Sequence, residues 1–367
     1  MDWVWDGWLA AGKLHLIGGA PSTGKTTIAI SLAAIISSGG LWPDGSRALV
    51  GDVAIWSGED DNVDTLNPRL RAAGADTSRV FVVEGVHEGC ERRPFDPAHH
   101  MEALREALLR RPHVRLIVID PIVSAITGDS HKNAEVRRGL QPLVDLALEL
   151  GCAVLGVTHF SKGTSGSNPL ERIIGSIAFS ALPRVVMVTV KQEPEGDQPE
   201  RRFLLRAKSN ISQDGGGFAY DLEQGELQGY PGVMASSVRW GHPVRGTARE
   251  LLAEAERCDD ERHEGRNAAE WLRELLSAGP VQVKDVRRLG ADEGIAWRTL
   301  QRAMRSVGVD SRRGGFSMPA TWSLRDPGIV APLAPLAPLA PLAPTSIDGA
   351  NGDFGVNDRA EREVFNL

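Results

Sequence analysis

Eight residues near the start of the chain, Gly19-Ala20-Pro21-Ser22-Thr23-Gly24-Lys25-Thr26, fit G-x-x-x-x-G-K-[ST] at every position. An apolar run precedes them (Leu14, Leu16, Ile17) and a helical one follows (Ile28, Ala29, Ile30, Leu32, Ala33). Strand, Gly-rich loop and helix in that order leave few folds open. Gly19 and Gly24 let the backbone curl so that several N–H groups face an anion. The helix opening near Lys25 adds the positive end of its dipole. Residues Gly19 to Thr27 (Gly19, Ala20, Pro21, Ser22, Thr23, Gly24, Lys25, Thr26 and Thr27) are therefore the expected phosphate cradle. Lys25 is expected to reach the β- and γ-phosphates, and the Thr26 hydroxyl to hold Mg²⁺.

From Lys13 to about Leu222 short apolar runs alternate with longer amphipathic ones. Strands are expected at Leu14–Ile17, Val53–Ser57, Val80–Val83, Leu116–Asp120, Ala153–Thr158, Val185–Val190 and Phe203–Ala207. Helix-length segments such as Ala98–Arg111 and Ala134–Leu150 separate the first five. That alternation predicts an α/β core, a mostly parallel sheet with helices on both faces. The closer spacing of the later strands predicts an antiparallel extension at one edge.

Several side chains fall where phosphate chemistry needs them. Asp120 ends the apolar strand Leu116-Ile117-Val118-Ile119, which can set its carboxylate beside the loop and orient Mg²⁺ through water. Glu59, in Ser57-Gly58-Glu59-Asp60-Asp61, follows the second strand and is the expected general base for the attacking water. The alternative is that these acids cap the next helix. His159 ends the fifth strand, where a polar side chain can bond the γ-phosphate and pass its loss to the following loop. Arg184, Arg202, Arg206 and Lys208 lie around the last strands, and phosphoryl transfer gains from a cation arriving in trans. Two loops, Thr127–Arg138 (with Lys132, Arg137 and Arg138) and Ser161–Gly175 (with Lys162 and Arg172), carry cations suited to a single strand's phosphates.

The order of these motifs resembles the RecA/DnaB superfamily, most closely the RepA-like hexameric replicative helicases of plasmids and phages. The likeness covers roughly Trp3 to Leu222. It rests on Trp8-Leu9 and Gly12-Lys13-Leu14, the phosphate loop, Gly58-Glu59-Asp60 and Leu116–Asp120. Val157-Thr158-His159, Gly175-Ser176 with Arg184, and Ala207-Lys208-Ser209-Asn210 complete it. The resemblance implies a RecA-like P-loop NTPase core, Glu59 as catalytic glutamate and His159 as coupling residue. It also implies ATP over GTP, and a ring-shaped homo-hexamer with ATP at subunit interfaces. One position departs: DnaB-type relatives carry K-x-R where this chain has Lys208-Ser209-Asn210. The finger is then expected from Arg184 or Arg206.

A second unit is expected at the C-terminus. The expected layout is an ATPase domain over 1–235, a connecting helix over 236–265, a small domain over 266–326 and a tail over 327–367. Asn267-Ala268-Ala269-Glu270 has capping-box spacing and predicts a helix start. Second and third helices are expected at Val283–Ala291 and Ile295–Val307, then a hairpin approaching Trp322-Ser323-Leu324. Three helices and a basic hairpin form the winged helix-turn-helix plan. Arg298, Arg302 and Arg305 share one face of the third helix, and Arg312 and Arg313 flank the hairpin. Between Val281 and Arg325 nine basic residues oppose four acids, a local excess inside a chain of net charge −7. Such a patch suits a polyanion and makes these arginines candidate DNA contacts. The tail repeats Ala-Pro-Leu four times (Ala331–Leu342), which reads as a polyproline-II-like spacer.

Cys90, Cys152 and Cys258 are widely spaced and odd in number, so reduced thiols in a cytoplasmic protein are expected. No signal peptide and no spanning segment is expected, hence no membrane partner. The leading expectation is an enzyme, an ATPase that moves along single-stranded DNA as a helicase, using ATP and Mg²⁺. Duplex DNA is a further expected ligand of the C-terminal domain. The alternative is a non-motor RecA-like ATPase that assembles on DNA in recombination, loading or regulation.

Overall fold

The computed structural model describes residues 1–88, 91–130, 132–161, 164, 167–173, 179, 181–192, 194, 199–312, 319–324 and 365–366. The chain divides into two compact units, Met1–Asp259 with Arg362–Leu367, and Asp260–Glu361. The first unit opens with β1 (Trp3–Trp5), β2 (Leu9–Ala10), β3 (Lys13–Gly19), α1 (Lys25–Ser38), β4 (Asp52–Ser57) and α2 (Asn67–Ala72). Next come β5 (Val80–Glu88), β6 (Glu91–Pro94), α3 (Met101–Leu109), β7 (Val114–Asp120), α4 (Asn133–Leu150) and β8 (Ala153–His159). It closes with α5 (Pro169–Arg172), β9 (Val185–Gln192), β10 (Arg201–Ser209), β11 (Gly217–Glu226) and β12 (Met234–Val244).

One sheet carries the order β12-β11-β10-β9-β3-β8-β7-β4-β5. From β9 to β5 the strands are parallel, with β3 near the centre. Each needs a crossover, and α1, α3 and α4 are among the segments that make these crossovers. β10, β11 and β12 then add in antiparallel fashion. Phe365–Asn366 makes a parallel rung beside β5. This is the expected α/β P-loop core, with one correction. Val185–Gln192 pairs in parallel with β3, so the antiparallel extension begins a strand later than its spacing suggested.

The period of two along buried strands divides the core between the sheet's two faces. Ile17, Val53, Ile55, Leu116, Val118, Leu155, Val157 and Met187 pack toward α1. Leu14, Leu16, Ile117, Ile119, Val154 and Val188 pack toward α4. Helix α1 is apolar all round because it is covered on both sides. The sheet lies beneath it, and β12 crosses above, where Trp240 Nε1 donates to Ser31 Oγ at 3.0 Å. Ile28, Ile30, Leu32 and Ile36 are essentially inaccessible. Each contributes about 1.5–3 kcal/mol of burial. Gly39 ends the helix in the left-handed conformation (φ 68°), its N–H returning to the Ile35 carbonyl.

β12 runs across the expected boundary at residue 235 and into the segment read as a connector. The segment Ala248–Ser277 is a single helix, α6. It passes through Asn267 without interruption, so Asn267-Ala268-Ala269-Glu270 is helix interior and not a capping box. The flanking Ala, Leu, Glu and Arg residues are strong helix formers, and they carry the helix past the asparagine.

The second unit contains α7 (Val283–Asp292), α8 (Trp297–Val307) and the strands β13 (Val281–Gln282), β14 (Val309–Arg312) and β15 (Thr321–Leu324). The three strands form a small sheet in the order β13-β15-β14. Leu272, Leu276, Val286, Leu300, Ala303 and Trp322 form its core. Gly290 admits α8, since a Cβ there would meet Leu300. Trp297 stacks on Trp322 at 5.3 Å between ring centroids. The Ala-Pro-Leu repeat, like Gly314-Gly315, lies outside the described residues.

Candidate active site

The phosphate loop joins β3 to α1 at the carboxyl end of the parallel strands, where α/β sheets bind ligands. Gly24 sits at the helix N-cap with φ 88°, and Ser22 holds φ 62°, unusual for a residue with a side chain. Gly19 has no room for a Cβ, which would collide with Thr189 of β9. Lys25 is 5% exposed, and its Nζ donates to the Ala20 carbonyl at 2.8 Å, across the mouth of the loop. Burial lowers its pKa to about 8, against the opposing pull of Asp120 and Glu59.

The Thr26 hydroxyl donates to Asp120 Oδ2 at 2.7 Å. Alternation along β7 explains the meeting: Leu116 and Val118 face α1, so Asp120 does too, one step past the buried strand. Burial raises the Asp120 pKa to about 6, the Thr26 bond opposes that, and Glu59 and Asp60 add to it. A hydroxyl and a carboxylate in contact at the first turn of α1 form the oxygen donor set that Mg²⁺ takes beside phosphates.

Beyond β4, Ser57 Oγ accepts the N–H groups of Glu59 and Asp60 at 3.3 and 2.9 Å. The three acids then separate. Asp61 caps the following turn by accepting from Val63 and Asp64. Asp60 pairs with Arg69 at 2.9 Å. Glu59 is exposed, and among the described residues its carboxylate has no hydrogen-bond partner. Its charge is nonetheless felt by Lys25, Asp120 and His159. The capping alternative thus describes Asp61 and leaves Glu59 free.

His159 is the last residue of β8, paired with Gly19 of β3. Its pKa is lowered by burial and by the Lys25 charge, favouring neutral imidazole. Next to it Phe160 packs under Arg172, whose guanidinium lies 4.3 Å from the ring centroid. Ser161 N–H donates to the Arg172 carbonyl at 2.7 Å. Arg172, read from the sequence as a DNA contact, is 8% exposed. Its guanidinium and carbonyl thus engage the two residues that follow His159. Lys162 and Gly175-Ser176 lie outside the described residues. In the other loop, Lys132 pairs with Glu135 at 3.2 Å, and Arg137 and Arg138 are exposed on the first turns of α4.

Of the two finger candidates, Arg184 sits at the other end of the sheet and Arg206 lies midway along it, opposite Met187. Arg184 precedes β9 beside Leu14, at the amino end of β3, roughly 17 Å along the strand from Gly19. Its side chain is exposed, and its carbonyl accepts the Asn210 N–H at 3.0 Å. Arg206 is turned inward. It donates to the Gly7 carbonyl at 2.8 Å and the Gly215 carbonyl at 3.2 Å, with its guanidinium over Trp8. These contacts tie the N-terminal hairpin to β10. In the second unit Arg298, Arg302, Arg305 and Arg312 are exposed, and Arg313 is outside the described residues.

Sequence reasoning missed two contacts on the loop. Thr23 Oγ1 lies 2.6 Å from Thr189 Oγ1, and the Tyr220 hydroxyl donates to the Thr23 carbonyl. A lone Thr and a lone Tyr in strands carry no local signal for such roles.

Residues 1–165 match the family model described as AAA domain. The match spans the phosphate loop, Glu59, Asp120 and His159, and stops before α5 and the antiparallel strands. No curated protein matches the chain. The matched segment and the geometry together give a P-loop ATPase core. Among the described residues no helix is long and apolar enough to cross a membrane.

Proposed function

We propose that the chain is an ATP-hydrolysing motor that moves along single-stranded DNA, a RepA-like replicative helicase of a plasmid, phage or integrated element, working as a homo-hexameric ring. The observation that carries the hydrolytic part is the Thr26–Asp120 bond, with Glu59 unengaged nearby. Mg²⁺, held by Thr26 and by Asp120 through water, would neutralise charge on the β- and γ-phosphates. Lys25 leaves the Ala20 carbonyl for those oxygens, and the loop N–H groups receive the rest. In this reading Glu59 accepts a proton from the attacking water. In the same reading His159 bonds the γ-phosphate, and its release would reach the next loop through Phe160 and Arg172.

A ring explains why Arg184 is exposed at the sheet end that its own nucleotide cannot reach. There it is available to a neighbouring subunit's phosphate, as a finger in trans. The exposed arginines on α8 and Arg312 suit duplex DNA. A second reading, a non-motor ATPase that assembles on DNA, is favoured by Asn210 in place of the usual finger. Strand displacement separates them. Unwinding of a forked duplex that requires ATP and a single-stranded tail supports the motor. Assembly on DNA without unwinding supports the second reading.

A further inference from the structure

The edge of the sheet that the AAA-domain match does not cover reaches back onto the phosphate loop. Thr189 lies on β9 beside Gly19, and Tyr220 lies on β11 opposite Arg202. Both side chains converge on Thr23, which is itself 2% exposed. Leu222, two residues beyond Tyr220 on the same face of β11, fills the space beside Gly24 where a Cβ would stand.

We infer that Thr189 and Tyr220 are positioning residues for nucleotide binding, holding Thr23 so that the loop keeps its curl before any phosphate arrives. The inference rests on the ATPase reading above. Its physical basis is the planar trans peptide between Thr23 and Gly24. The carbonyl and the N–H of that unit point in opposite directions. Tyr220 draws the Thr23 carbonyl toward β11, which turns the Gly24 N–H the other way, away from β11. Thr189 Oγ1 lies 2.6 Å from Thr23 Oγ1 and 3.3 Å from the Gly18 carbonyl; with Thr189 as donor to the nearer oxygen, the Thr23 proton is left for the Ala20 carbonyl at 2.9 Å. That carbonyl also receives Lys25. When Lys25 moves to phosphate, the Thr23 hydroxyl still holds the Ala20 oxygen, which would otherwise be free to turn toward the anion and repel it. Ser22, left-handed and immediately before Thr23, is the residue whose conformation relaxes if this hold is lost.

A device that preorganises the loop acts equally on bound substrate and transition state, so it moves KM and leaves kcat. The test measures ATP affinity with a fluorescent ATP analogue, together with steady-state hydrolysis, in wild type, Tyr220→Phe, Thr189→Val and Thr189→Ser. The expected result is a rise in Kd and KM of about fivefold to tenfold for Tyr220→Phe and Thr189→Val, with kcat within about twofold. Thr189→Ser, which keeps the hydroxyl, restores wild-type affinity. Unchanged Kd in a variant that only melts earlier would overturn the inference. So would a fall in kcat at constant KM. Failure of the wild type itself to bind ATP would instead overturn the ATPase reading, and this inference with it.

Discussion

Thr26 and Asp120 stand 94 positions apart in sequence, and the hydroxyl of the first donates to the carboxylate of the second at 2.7 Å. The bond joins the first turn of α1 to the end of β7, the two elements that would flank a bound magnesium ion. Asp120→Asn keeps a hydrogen-bonding shape but removes the charge. It is expected to cut ATP turnover at least 100-fold, with the Mg²⁺ requirement shifted to higher concentration. Titration of Mg²⁺ against hydrolysis rate reads this, and an unaltered Mg²⁺ dependence would contradict it.

Glu59 and Asp60 are adjacent acids with different engagements. Asp60 is bound to Arg69, whereas Glu59 is free to act. Glu59→Gln should lower kcat by about 100-fold or more with ATP affinity retained. Asp60→Asn should leave kcat within a few-fold. Single-turnover kinetics on both variants check the assignment, and equal losses would refute it.

The strand-loop-helix core and the position of Asp120 at a strand end were legible because each belongs to a local pattern. Alternation along a strand decides which face a side chain takes, and the sheet brings neighbouring strand ends together. The β11–β12 hairpin was not legible in the same way. Its decisive contacts, Tyr220 to Thr23 and Trp240 to Ser31, span 197 and 209 residues. The Gly241-His242-Pro243 stretch also breaks the strand pattern that would have announced it. The surroundings of the arginines were not legible either: Arg172 lies over an aromatic face and Arg206 donates to backbone carbonyls, partners that composition and spacing do not reveal.

Arg184 and Arg206 therefore make opposite predictions. Arg184→Ala should preserve folding and ATP affinity while lowering turnover by 10-fold or more. In mixed assemblies its defect should be complemented by subunits that carry Arg184 but lack Glu59. Arg206→Ala should lower stability by about 1–3 kcal/mol, through the two carbonyls left without a donor. Thermal melts beside mixed-subunit assays distinguish the two, and an Arg184→Ala chain with full turnover would remove it from the finger role.

His15 sets an acid limit. It is fully buried, its Nε2 accepts the Ala10 N–H at 2.9 Å, and burial lowers its pKa from 6.5 to about 4. Between those values the unfolded chain binds a proton that the folded chain refuses. Stability from this residue is complete above about pH 6.5 and falls as pH drops toward 4, by about 2 kcal/mol between pH 7 and pH 5. Urea unfolding at the two pH values measures it. His15→Gln, which does not titrate, should flatten the slope, and an identical slope would contradict the assignment.

The most direct test is the rate of ATP hydrolysis by the purified chain with and without single-stranded DNA, beside Lys25→Ala and Glu59→Gln. The account predicts strong stimulation by DNA that is abolished in both variants. Slow hydrolysis indifferent to DNA would contradict the motor and leave a nucleotide-switched binder in its place.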